Sequence, residues 1–174
     1  MKKTLLLFIF SLFFIGCQTD QIPELSQEQK DKAHKEIIDV MREYNTAIEK
    51  KDFAGIVHTL SKDVIFFGSD SAEAIKSLTE FKEVIQKQWK FYDEMKYGDI
   101  QNPAIFMDNL GTFASIIYGI PCTFKEAGKS EIGYFYLRVA RTLKKEKGKW
   151  VIISGIVSVT NSGKIHEEPK DKQD

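Results

Sequence analysis

Two cysteines and three histidines in 174 residues are too few and too scattered for a disulfide framework or a regularly spaced metal site. The histidines are His34, His58 and His166. Net charge is also missing, because 25 Lys+Arg oppose 25 Asp+Glu. A nucleic-acid partner is therefore not expected, since phosphate neutralisation by a basic face supplies most of that affinity. No cofactor is expected either. No apolar run approaches the roughly 20 residues that span a bilayer. What the chain does have is 43% apolar residues, enough for a core, at a length that suits one domain.

The first residues read as a processing segment. Lys2 and Lys3 form a positive start, and Thr4 to Ile15 is nearly all Leu, Phe and Ile. That run has the length of a signal-peptide core. It ends at Phe14-Ile15-Gly16-Cys17, a small residue before a cysteine, which resembles the bacterial lipobox. The resemblance implies acylation of Cys17, which palmitate would report, and cleavage before it. Residues 1–16 are then the signal peptide, and 17–26 the lipidated cysteine and its tether. The expected location is the bacterial cell envelope, with the membrane as partner through Cys17. Cys122 is left without an intramolecular partner and reads as a small buried hydrophobe.

The mature chain begins with helices. Ser26-x-x-Gln29 has capping-box form, and Ala33, Ile37, Met41, Tyr44 and Ile48 recur at helical spacing up to about Lys51. Asp52 caps a second, short helix with Phe53, Ile56, Val57 and Leu60 on its apolar face. Val64 to Phe67 reads as a strand closed by Gly68. Ser77-x-x-Glu80 opens a third helix, striped with Phe81, Val84, Ile85, Trp89 and Tyr92. Strands follow over 95–101, 104–107, 112–124, 132–143 and 150–160, and Pro121 marks a bulge or edge position. Residues 161–174 are a charged tail. Helices first and hairpin-linked strands after predict an α+β fold. Three N-terminal helices would pack on one curved antiparallel sheet, leaving a cone with an open end and a natural cavity.

Three short motifs are similar to the SnoaL-like branch of the nuclear transport factor 2-like superfamily. Phe67-Gly68-Ser69-Asp70 with Glu73 resembles the family's Phe-Gly-Thr-Asp-x-x-Glu after the first strand. Arg138 with Ala140 resembles its Arg-x-Thr, and Gly148-x-Trp150-x-Ile152 its Gly-x-Trp-x-Ile. The resemblance implies a cone-shaped domain over 27–160, and homodimers formed through an exposed sheet face. It also implies a difference. SnoaL-like relatives often carry His-x-His in the last strand, where this chain has Ser154 and Ile156.

Strand alternation sorts the candidate residues. Phe135, Leu137, Val139 and Leu143 form an apolar row. Tyr134, Tyr136, Arg138, Ala140 and Thr142 form a mixed row, matched in the last strand by Trp150, Ile152, Ser154, Ile156 and Ser158. The mixed face suits either a ligand wall or an interface. Its ligand-binding candidates are Arg138, Tyr134 and Ser154, with Asp70 and Trp89 beside them. Arg138 would clamp an anion or pair with Asp70 or Glu73. Asp70 is the candidate general base, or a turn-capping residue. The predicted function is a noncatalytic module that binds a small apolar or anionic ligand or a partner. The alternatives are an acid–base isomerase or dehydratase, and an assembly domain with a filled cone.

Overall fold

The computed structural model describes residues 24–68 and 74–160. Cys17, the signal run, Asp70, Glu73 and the tail beyond residue 160 lie outside them. The Ser26 capping box forms as its spacing predicts. Ser26 Oγ accepts from Gln29 N at 3.2 Å, and Gln29 Oε1 accepts from Ser26 N at 2.8 Å. Helix α1 (Gln27–Glu49) then buries Ala33, Ile37, Met41, Tyr44 and Ile48 along one stripe. Asp52 caps α2 (Phe53–His58) by accepting from Gly55 N. Leu60 is not on that helix: strand β1 (Leu60–Phe67) begins there, four residues before Val64.

A two-residue strand β2 (Ala74–Ile75) pairs with the end of β1, which the sequence pattern did not suggest. Helix α3 (Leu78–Phe91) follows, with Ser77 Oγ accepting from Glu80 N. Only half of the expected capping box closes, because the Glu80 carboxylate takes Lys76 N at 2.7 Å. Strands β3 (Tyr92–Tyr97), β4 (Gln101–Met107), β5 (Phe113–Glu126), β6 (Ile132–Glu146) and β7 (Lys149–Val159) complete the chain. Lys147 and Gly148, both at positive φ, make the tight β6–β7 turn.

The sheet order is β2-β1-β7-β6-β5-β3, with β4 also on β5. It is antiparallel except for β1 against β7, which run parallel. Pro121 sits where β5 passes from β3 to β4. Its carbonyl takes Gly98 N on that side, so its missing N–H falls in the gap between the two strands. The helices cover one face of the curved sheet, and the core lies between them.

One irregularity overturns the simple alternation of β7. Leu143 pairs with Ile152, but Thr142 pairs with Ser154, so Ile153 is an extra residue. Before this bulge Trp150 and Ile152 face the core, at 4% and 0% exposure. After it Gly155, Val157 and Val159 take over opposite Arg141, Val139 and Leu137. The row Trp150, Ile152, Ser154, Ile156 and Ser158 is therefore split between the two faces.

Candidate functional site

The helices and sheet line an open-mouthed cavity of about 900 Å³ beneath α3. Its walls are Phe66 from β1, Ile75 from β2, Phe81, Val84, Ile85 and Phe91 from α3, Tyr92 from β3 and Val157 from β7. Tyr44 from α1 and Arg141 from β6 also line it. Gly68 and Ala74, which bracket residues 69–73, stand at its rim, with Glu80, Glu83 and Lys87 of α3. Phe66 stacks obliquely on Phe81, with ring centroids 5.3 Å apart. Such a volume suits a drug-sized organic molecule, and apolar aromatic walls suit an apolar body.

Arg141 is the residue that sequence reasoning missed. It occupies the core-facing row of β6, between Val139 and Leu143, and is only 8% exposed. Nη1 donates to the carbonyls of Ala140, at 3.2 Å, and Ile156, at 3.1 Å. Gly155 makes this path possible, because a Cβ there would collide with Arg141 Cδ and Nη1. The guanidinium carbon lies 4.9 Å from the Phe66 ring centroid and 5.8 Å from that of Tyr44. Nε is buried without a partner. Among the described residues no carboxylate pairs with Arg141. The available signal was a charge inside an otherwise apolar β row, directly across from a mid-strand glycine.

Three phenols lie in electrostatic reach of this cation. Burial raises the Tyr44 pKa, opposed by the charge and hydrogen bonding of Arg141. Burial pushes Tyr118 up to about 12, again opposed by Arg141. Burial drives Tyr97 well above its ordinary value, reinforced by Cys122, Tyr44 and Tyr118. The phenols therefore stay neutral at physiological pH. Cys122 is 1% exposed, and desolvation lifts its thiol to about 11, which removes it as a nucleophile. The described wall thus offers a fixed positive charge, neutral phenols and aromatic surface. That chemistry suits binding and orientation.

The sequence candidates are distributed differently. Arg138 is exposed and pairs with Ser158, on the sheet face away from the helices. Tyr134 is 49% exposed on that same outer face, and Ser154 sits there half-buried opposite Thr142. Trp89 packs half-buried against the core and is absent from the cavity wall, while its neighbour Gln88 is part of it. None of these four meets Arg141 in the cavity. Asp70 lies outside the described residues. His58 is exposed beside Glu36, Asp39 and Glu43 in a separate surface hollow.

Solved structures with the same architecture are numerous. A candidate scytalone dehydratase from Novosphingobium aromaticivorans superposes with a TM-score of 0.69 at 13% identity, over 78% of this chain and 89% of that chain. A hexachlorocyclohexane dehydrochlorinase, LinA-type3 from Novosphingobium barchaimii LL02, gives 0.68 at 11% identity, over 83% and 99%. A Nostoc punctiforme protein of unknown function with a cystatin-like fold gives 0.64 at 16% identity, over 80% and 96%. At such identities the likeness establishes the fold alone. Curated proteins gave no match. The sequence model for the SnoaL-like domain matches residues 37–162, from the middle of α1 through the last strand. The bulged sheet, the helical cover and the chamber between them are thus the frame of a known fold, and the chain belongs to the SnoaL-like domain family.

Proposed function

We propose that this chain is an envelope lipoprotein whose SnoaL-like domain binds a small organic molecule without transforming it. The cavity of about 900 Å³ beneath α3, with its aromatic walls, carries the reading. A filled cone, as an assembly domain would have, leaves no such space. Acid–base catalysis needs groups poised to exchange protons near the working pH. The described wall supplies instead an arginine and phenols with raised pKa values, and Glu80 at the rim is engaged by Lys76 N. Beyond the bulge, β7 turns Gly155, Val157 and Val159 inward, and none of these exchanges a proton.

The anchoring half of the reading is supported by Lys2 and Lys3, the apolar run to Ile15 and the Gly16-Cys17 junction. Labelled palmitate should enter the wild type and not Cys17→Ala; equal labelling ends that half. A homodimer through the outer sheet face completes the proposal. Phe106, Ile117 and Ile156 are 65%, 51% and 51% exposed there, an apolar surface that a second copy would cover. Native mass spectrometry of the protein from its own host tests the binding half. The expected result is a co-purified small molecule at up to one per chain. Turnover of such a molecule by the purified protein would replace the binding reading with an enzymatic one.

A further inference from the structure

We infer that Arg141 is the anchor for the single carboxylate of an amphipathic organic acid whose apolar body lies against Phe66, Phe81 and Phe91. The inference rests on the cavity being a ligand site. Arg141 is more than nine-tenths buried, lines the cavity and has no carboxylate partner among the described residues. Removing a cation from water without a counter-charge is strongly unfavourable, and evolution ordinarily supplies a partner or an apolar substitute. Here two main-chain carbonyls hold Nη1 in place, and Nε is left without an acceptor. The guanidinium is therefore fixed but not neutralised. An anion from outside the described chain completes it.

The geometry narrows the anion. The rings of Phe66 and Tyr44 lie 4.9 and 5.8 Å from the guanidinium carbon, so an anion would reach the cation beside aromatic surface. The in-plane N–H donors of a guanidinium match a planar carboxylate. A phosphate dianion would bring two charges to one buried cation and leave the second unmatched in an apolar chamber. The remaining charges at the cavity, Glu80, Glu83 and Lys87, are exposed on α3 and lie at the rim. The tyrosines around Arg141 stay neutral, Tyr44 accepting from the guanidinium, and add no competing negative charge. Such a site discriminates by charge at the closed end and by apolar shape along the wall.

The test uses two probes of one skeleton, 2-naphthoate and 2-naphthalenemethanol, titrated calorimetrically into the full chain at neutral pH. Wild type should bind the acid at least tenfold more tightly than the alcohol. Arg141→Met should bring the two affinities within about twofold of each other, and Arg141→Lys should restore part of the preference. The melting temperature of Arg141→Met should fall little, because the substitution removes an uncompensated buried charge. If Arg141→Met does not fold, Arg141→Lys carries the test through its reduced acid-to-alcohol ratio. Equal binding of both probes by wild type overturns the anchor and leaves the cavity reading standing. Binding of neither probe overturns the cavity reading, and the anchor with it. A wild type without acid preference that gains one in Asp70→Asn also overturns the anchor, since Arg141 would then already be neutralised within the chain.

Discussion

Cys122 and the buried tyrosines make the cone's interior a poor place for negative charge of its own. Cys122 is 1% exposed and its thiol is raised to about 11 by desolvation. Peptide mapping after maleimide treatment at pH 8 should find Cys122 unmodified in the native chain and modified after unfolding. Rapid native labelling would show that the strand β5 region opens. The same burial sets an alkaline limit on stability. In the unfolded chain the thiol and phenols ionise near 9 and 10, whereas in the fold Cys122 and Tyr118 are held near 11 and 12. Raised folded values mean that this stability is complete below pH 9 and is lost as pH climbs towards 12. Denaturant midpoints should therefore fall steadily above pH 9. A flat profile to pH 11 would mean that these groups are accessible in the native state.

Arg141 also shows, at residue scale, where sequence reading stops. Arg138 sits in a mixed row and attracts notice as a candidate clamp. Arg141 sits in a row otherwise composed of Phe135, Leu137, Val139 and Leu143, where alternation alone makes it look like an interruption. Its meaning depends on Gly155 across the ladder and on Tyr44 from a helix almost a hundred positions away, contacts that periodicity does not encode.

Among the elements, the helices were the most legible from sequence. Ser26, Asp52 and Ser77 each cap the helix that their spacing foretold. Ser26→Ala should lower the unfolding free energy by about 1 kcal/mol, the usual worth of such a cap. No change in a urea titration would mean that α1 frays at its start. Strand faces were less legible, because a single bulge at Ile153 exchanges inside for outside along β7. One extra residue has no compositional signature in a run of Val, Ile and Ser. Strand β2 was likewise invisible because two residues carry no alternation, and the parallel β1–β7 pairing because its partners lie far apart in sequence. Gly155 ties this element to the site. Gly155→Ala should displace Arg141 or destabilise the fold by roughly 1–3 kcal/mol, as overpacking does. Unchanged stability with unchanged ligand preference would mean that Arg141 is not held across β7 as described.

For the molecule as a whole, the fold separates two surfaces. One side of the sheet closes over the cavity, and the other presents Phe106, Ile117, Tyr134 and Ile156. Ile117→Glu should convert a dimer to a monomer in light scattering without lowering the melting temperature of the domain. A wild type that is monomeric at every concentration would remove the dimer from the account. No helix among the described residues is long and apolar enough to cross a membrane. The proposed attachment is through Cys17.

The central claim is that the chamber beneath α3 is the ligand site. Val84 lies half-buried in its wall on α3, where a larger side chain would occupy the space. The direct measurement is the calorimetric stoichiometry of 2-naphthoate with the wild type and with Val84→Trp. The account predicts one equivalent per chain for the wild type and none for Val84→Trp, with both proteins melting cooperatively. The same stoichiometry and affinity in both would place the ligand elsewhere and contradict it.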